Sequence, residues 1–275
     1  MKLLYIFRKI IFKFLHLKFF LIANILRFFH NFFNKNLKIL NNFEITKDYL
    51  NLDKNSYLTY CNELKNDQEM RIKYESLTIN EIKKFELKIE KEEHLKMLYV
   101  FIRALKPRKI VSTGVALGFQ EAVILSAINK NEIGELISID LLGKKDQLTY
   151  DIDLKEDETG FYIPEIYKKN WKLIIGDTRT ELSKILEKMD VDIFIHDSNH
   201  TISHMIFEYS LSRVNLKEGK FIFSDDILIY NNCFEEFLKL NNLVGCSNFP
   251  KLNYGFFANK FSNFEKENSV EKYLK

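Results

Sequence analysis

Residues 109–118 read KIVSTGVALG. Lys109–Thr113 is a short run rich in β-branched residues. It meets a turn bracketed by Gly114 and Gly118, and an apolar helical stretch, Ala122–Ile128, follows. Strand, glycine turn and helix open a βαβ unit, and the chain beyond repeats the pattern. Leu136–Asp140 (LISID) predicts a second strand, and Lys172–Gly176 (KLIIG) a third, followed by a helix near Glu181–Lys188. Val191–His196 (VDIFIH) predicts a fourth, with a helix over Ile202–Val214. Gly219 turns the chain into a fifth, Lys220–Ser224 (KFIFS). A helix at Phe234–Leu240 precedes two closely spaced strands, Leu243–Phe249 and Tyr254–Asn259, which are expected to pair antiparallel. The expected architecture is α/β: a mostly parallel sheet, its last strand antiparallel, with helices on both faces.

Ligands of open parallel sheets sit at the carboxyl ends of the strands, so the chemistry is sought at residues 112–118, 140–143, 176–178, 197–200 and 225–227. Glycines at 114 and 118 let backbone approach a ligand closely, and the next helix aims its amides at the same place. Asp140 ends the following strand, where a carboxylate can accept ribose hydroxyls. Together these indicate an adenosine-type ligand. The turn lacks the G-x-G-x-x-G that cradles a dinucleotide pyrophosphate, which favours S-adenosylmethionine over NAD. Asp177 either caps the helix TRTELSKIL or hydrogen-bonds the adenine amino group, and it can do both.

In order, IVSTGVALG, ISID, IIGDTRTEL, IFIHDSNHTISHMIFE and KEGKFIFSDDI resemble the class I S-adenosylmethionine-dependent methyltransferases. The resemblance is nearest the branch of macrocin and rhamnosyl O-methyltransferases and cephalosporin-hydroxylase-like proteins. It spans roughly residues 95–260 and implies a Rossmann-like methyltransferase sheet. The cofactor would be held by Ser112, Thr113, Gly114, Gly118, Asp140 and Asp177. Many members carry a glutamate just before the first glycine motif; here Ser112 stands in that region.

Asp197 follows the fourth strand, and Asp225 and Asp226 follow the fifth. Three acids in one crevice repel unless protonated or metal-bound, and oxygen-only ligands favour Mg²⁺ or another hard divalent cation. The same pattern resembles metal-dependent O-methyltransferases. That resemblance makes His200, three residues after Asp197, the general base for an acceptor hydroxyl. His204 ranks below it as a pocket residue, and His196 reads as structural. Competing readings are helix capping by Asp197 or Ser198, and a plain turn at Asp225–Asp226.

The chain has 275 residues, 46% hydrophobic and 29% charged, as an ordinary globular protein does. Residues 1–40 hold eight Lys and Arg and no acid, leaving 33 of the 41 bases against 38 Asp and Glu in the rest. A mildly acidic body argues against nucleic acid as partner. Lys2, Lys9, Lys13, His16, Arg27 and Lys38 share one helical face opposite Leu, Ile and Phe, with Lys18 the exception. Residues 1–38 are therefore expected to lie on an anionic membrane surface. A transmembrane anchor, a signal peptide or packing on the body are the alternatives. Three scattered cysteines argue against a disulfide framework or a zinc site.

The expected division is a basic amphipathic segment at 1–40, a helical cap at 41–106, the core at 107–262 and a polar tail at 263–275. The long connection 143–171, with Tyr150, Phe161, Tyr162, Tyr167 and Trp171, suits a lid or an acceptor surface. The expected function is Mg²⁺-assisted O-methyl transfer to a small molecule or glycan. The expected setting is the cytoplasm, peripheral at the inner face of the membrane, with homo-oligomerisation open. Two other readings stand beside it: a non-catalytic methyltransferase-like binding module, and an NAD-dependent or hydroxylase-type enzyme on the same fold.

Overall fold

The computed structural model describes residues 36–75, 93–142, 158–227, 233–248 and 254–258. The N-terminal basic stretch up to residue 35, residues 143–157 of the polar connection, the turn at Pro250–Asn253 and the tail 263–275 lie outside them. No helix of the described residues is long and apolar enough to cross a membrane.

The strands are β1 (Leu37–Leu40), β2 (Lys109–Thr113), β3 (Glu135–Asp140), β4 (Trp171–Ile175), β5 (Ile193–His196), β6 (Phe221–Ser224), β7 (Gly245–Asn248) and β8 (Gly255–Ala258). They form one sheet in the order β1-β7-β8-β6-β5-β2-β3-β4. The pairings are parallel except those of β8, which runs antiparallel to both β6 and β7. From β2 the chain moves to β3 and β4 on one side, then returns to β5 and β6 on the other. The strand order therefore reverses between β2 and β5, and the crevice at their carboxyl ends is where such sheets bind ligands.

Helices α1 (Asn42–Leu50), α2 (Lys54–Lys65), α3 (Gln68–Glu75), α4 (Glu93–Leu105) and α5 (Phe119–Asn131) precede β3. After β4 come α6 (Thr178–Leu186), α7 (Ile202–Asn215) and α8 (Cys233–Leu240). Alternation along each strand sorts the core into two halves. Ile110, Ile193, Ile195, Phe221, Phe223 and Phe256 pack with α4 and α5. Val111, Phe194, Ile222 and Phe257 pack with α6, α7 and α8. Helix α5 is buried along its first ten residues because it lies between the sheet and α4, so it is apolar almost all round. Phe101 of α4 meets Phe221, Phe223 and Phe256 edge-on at 5.1–5.5 Å, which fixes α4 on the sheet. Truncating it to Ala would cost about 3–5 kcal/mol.

The chain starts α1 with a capping box: Asn41 accepts from the Glu44 amide, and Glu44 accepts from the Asn41 amide, both at 2.9 Å. Asp53 caps α2 through the amides of Asn55 and Ser56.

The structure departs from the sequence reading in four places. Leu37–Leu40, assigned to the basic N-terminal segment, is an edge strand parallel to β7, so Lys38 is in a strand and not on a helical face. The fourth strand is Ile193–His196, two residues shorter than expected, though the Asp192 backbone still bonds to Lys109 and Phe221 on either side and its carboxylate accepts from the amides of Arg108 and Lys109. Helix α6 begins at Thr178, three residues before the Glu181–Lys188 placing but where the reading of Asp177 as cap of TRTELSKIL put it. Tyr167 and Trp171, read as lid aromatics, belong to the body. Tyr167 is buried with its hydroxyl on Asp67, and Trp171 opens β4 with Nε1 donating to Ser138.

Candidate active site

The turn after β2 is shaped by backbone that other residues could not supply. Gly114 has φ +80° and Gly118 φ +79°, the left-handed region where glycine avoids a side-chain clash. A β-carbon on Gly114 would stand 1.9 Å from the carbonyl oxygen of Asp197, and one on Gly118 would stand 2.6 Å from the α-carbon of Gly160. The first contact matters most, because it presses the turn after β2 against the turn after β5.

Asp140 ends β3, as expected, and is almost fully buried. Its Oδ2 accepts from the amides of Val115 at 2.6 Å and Ala116 at 3.0 Å, and its Oδ1 accepts from the amide of Leu142 at 2.8 Å. A carboxylate offers about four lone-pair sites, so three are filled by backbone. The sequence reading gave Asp140 to two ribose hydroxyls. Here the carboxylate first serves to hold the glycine turn, with room left for a single further donor.

Ser112 and Thr113, adjacent on β2, face opposite sides of the sheet. Ser112 donates within 2.9 Å of Ser138 Oγ and 3.3 Å of Glu121 Oε1 on α5. Glu121 is 1% exposed, and burial pushes its carboxyl up to about 8. A buried carboxyl from the next helix thus lies beside Ser112. Sequence reading missed it, because an acid in the first turn of a helix reads as an ordinary dipole partner. Thr113 instead donates to Glu208 Oε2 at 2.7 Å on α7.

Asp177 caps α6, its Oδ1 accepting from the Arg179 amide at 2.8 Å. This is the capping alternative weighed for it.

The turn after β5 carries Asp197 and His200. The Asp197 amide donates to the Thr113 carbonyl at 2.9 Å, which extends the β2–β5 ladder by one rung. Its Oδ2 lies 3.4 Å from Gln120 Nε2, and Tyr254 donates to Gln120 Oε1 at 3.4 Å. Neither Asp197 nor Ser198 caps the following helix; its N-cap is Thr201. His200 therefore sits in the turn before α7 rather than opening the helix. Its Nε2 lies 3.8 Å from Asp197 Oδ1 and 3.9 Å from Asp226 Oδ2. Burial, with the neighbouring His196, pushes its imidazole down to about 4, so it is neutral at pH 7.

Asp225 continues the sheet, its amide donating to the His196 carbonyl at 3.0 Å, and its Oδ1 is buried without a hydrogen-bond partner among the described residues. Asp226 takes φ +50°. Burial, with the charge of Asp225, pushes its carboxyl up to about 6. Among the described residues no group of three or more His, Cys, Asp or Glu side chains is arranged as a metal site. The structure brings two of the three expected ligands, Asp197 and Asp226, around one imidazole. Asp225 supplies a buried acceptor on the same loop.

His196, read as structural, is fully buried with Nδ1 2.6 Å from Glu208 Oε2. His204, ranked lower as a pocket residue, is also buried, with Nε2 2.9 Å from Thr178 Oγ1 and 2.8 Å from Glu208 Oε1. Glu208 was not singled out from sequence. The signal was present: His204 and Glu208 are one turn apart on α7, so they share a face.

Residues 111–227 match a family model described as a methyltransferase domain. Comparison with curated proteins gave no match. Among solved structures, the chain is similar to the O-methyltransferase TomG from Streptomyces achromogenes, crystallised with SAM. The identity is 11% over 61% of this chain and 80% of that one, with a TM-score of 0.45. It is similar to CmcI in an apo structure, at 20% identity over 59% of this chain and 69% of that one, with a TM-score of 0.44. A CmcI structure described as Mg-SAM has 18% identity over 58% and 68%, with a TM-score of 0.40. The match takes in most of the first core strand, the glycine turn and both acid-bearing turns described above, and over residues 111–227 the chain is similar to a methyltransferase domain.

Proposed function

We propose that this chain transfers a methyl group from S-adenosylmethionine to an acceptor hydroxyl, on a small molecule or glycan, with a divalent cation assisting. The observation that carries the reading is the position of His200. Its Nε2 stands between Asp197 and Asp226, on a turn pressed against Gly114. A base, two carboxylates and the cofactor turn then share one crevice.

The cofactor supplies a methyl group on a positively charged sulfur. Gly114 and Gly118 admit it by backbone approach, and the amino end of α5 faces it. One ribose hydroxyl has a free lone-pair site at Asp140, and a second has to displace a turn amide. The acceptor oxygen attacks the methyl carbon. The carbon–sulfur bond of a bound cofactor would break with its electron pair returning to sulfur, and neutral His200 would take the hydroxyl proton. Asp197 and Asp226, with water and acceptor oxygens, suit Mg²⁺, which takes few protein carboxylates; Asp225 Oδ1 is a further buried acceptor there. A cation held there would lower the pKa of the acceptor hydroxyl and so relieve the demand on a weakly basic imidazole. Alignment of acceptor, methyl and sulfur contributes the rest.

We also propose the four-part division of the chain, with its first boundary moved ahead of the strand Leu37–Leu40, and a membrane-interfacial role for residues 1–35 in a cytoplasmic protein. The test is methyl transfer from labelled S-adenosylmethionine to a panel of hydroxylated small molecules and glycosides, with Mg²⁺ or with a chelator. Labelled product that depends on Mg²⁺ supports the reading. Transfer to nitrogen acceptors alone would contradict it.

A further inference from the structure

Beneath the crevice lies a carboxylate with every acceptor position filled. Glu208 is 0% exposed on α7. Its Oε2 accepts from Thr113 Oγ1 at 2.7 Å and faces His196 Nδ1 at 2.6 Å. Its Oε1 accepts from Ser198 Oγ at 2.8 Å and faces His204 Nε2 at 2.8 Å. The four partners come from different places: Thr113 from the end of β2, His196 and Ser198 from β5 and the turn after it, and His204 from α7 itself. Through His204, which also meets Thr178 at 2.9 Å, the network reaches the start of α6.

A buried carboxyl faced by two hydroxyl donors and two imidazole nitrogens is fully satisfied in its ionised form, whereas a protonated one would have to donate at one of these positions. Burial alone would push its carboxyl up, but electrostatic attraction and a hydrogen bond from the facing His196 ring, together with His204, hold it well below the ordinary range. An ionised Glu208 dictates where the protons of its neighbours sit. His196 must carry its proton on Nδ1, leaving Nε2 as a bare lone pair, and that nitrogen is buried with no hydrogen-bond partner among the described residues. His204 must carry its proton on Nε2, shared between Glu208 and Thr178. The His196 ring, fixed in this way, packs edge-on against His200, with centroids 5.2 Å apart.

We infer that Glu208 is the positioning residue of the site: it sets the tautomers of His196 and His204 and clamps the turn bearing Asp197 and His200 to the strand that ends in the cofactor glycines. The inference rests on the methyl-transfer reading for its functional consequence, while its tautomer content stands apart from that reading. Replacing the carboxylate by the isosteric carboxamide leaves one acceptor oxygen and introduces two donors. At least two of the four donors then face no acceptor, and the clamp loosens without loss of volume.

The experiment uses the full chain, ¹⁵N-labelled, with long-range proton–nitrogen correlations of the histidine rings at pH 7. Single His196→Asn and His204→Gln variants provide the assignments. The wild type is expected to show the Nδ1–H tautomer for His196 and the Nε2–H tautomer for His204. Finding the opposite tautomer at His196 overturns the inference with no variant required. In Glu208→Gln one or both rings should become a mixture, and calorimetric affinity for S-adenosylhomocysteine should fall roughly tenfold. Ser212→Ala, on the same helix and also buried, should change neither reading. Unchanged tautomers and affinity within twofold in Glu208→Gln would also overturn it. If the wild type binds no S-adenosylhomocysteine, the cofactor reading fails and the tautomers alone decide the role of Glu208.

Discussion

Gly114 and Asp197 touch backbone to backbone: a β-carbon at residue 114 would lie 1.9 Å from the Asp197 carbonyl oxygen. Through this contact the turn assigned to the cofactor and the turn assigned to acid–base chemistry form one unit. Asp197 in addition donates its amide to Thr113. Moving either turn moves the other, which makes the contact the most direct link between the two halves of the site.

Gly114→Ala is therefore expected to combine an unfavourable φ with a backbone clash, and to cost about 2–4 kcal/mol with loss of S-adenosylhomocysteine binding. Gly219 has a similar φ, +84°, but nothing stands within 4 Å of its would-be β-carbon. Gly219→Ala should cost only about 1–2 kcal/mol and spare binding. Chemical denaturation of both variants separates the clash from the dihedral. Equal losses would show that the contact with Asp197 is unimportant.

Glu121 makes the fold sensitive to alkali. Its carboxyl is pushed from the ordinary 4.5 up to about 8 by burial. Between those values the unfolded chain has released a proton that the folded chain keeps, so this group lowers stability as pH rises through the window. Below and above it the contribution is flat. Glu121→Gln should match the wild type near pH 4.5 and exceed it by about 4 kcal/mol at pH 8.5, measured as a growing difference in urea midpoints. A difference that does not widen with pH would mean the carboxyl is ionised in the fold.

Asp140→Asn leaves one carbonyl oxygen where two carboxylate oxygens accept three backbone amides. One amide then faces an NH₂ donor. Stability should drop about 1–3 kcal/mol, and affinity for S-adenosylhomocysteine should fall at least tenfold by calorimetry. Wild-type affinity in this variant would remove Asp140 from the cofactor site.

His200→Gln keeps a polar side chain and loses the proton acceptor. With a working acceptor it should lower kcat about 10²–10⁴-fold while leaving S-adenosylhomocysteine affinity nearly unchanged. Asp197→Ala should abolish stimulation by Mg²⁺. Retained stimulation would place the cation elsewhere.

Much of this was legible before the structure. The alternation of apolar runs with amphipathic stretches marks β2 to β6, and the glycines at 114 and 118 mark the turn, because both follow from local chemistry. The edge strand Leu37–Leu40 was not legible. Its residues continue the basic, apolar composition of the preceding segment, and only parallel pairing with Gly245–Asn248, about 200 residues away, makes them a strand. Likewise Asp140 was placed correctly, yet its carboxylate turned to the amides of its own turn, a choice among partners that spacing does not encode. Glu121 was invisible, and Glu208 was marked only by its spacing from His204, for a related reason. Each looks like a solvated helix acid until the helix packs its face against polar strand ends.

The account stands most directly on one measurement, calorimetric titration of the full chain with S-adenosylhomocysteine, S-adenosylmethionine and NAD, each with and without Mg²⁺. The account predicts saturable binding of both sulfur compounds, weakened in Asp140→Asn, and no binding of NAD. Binding of NAD with neither sulfur compound bound would contradict it.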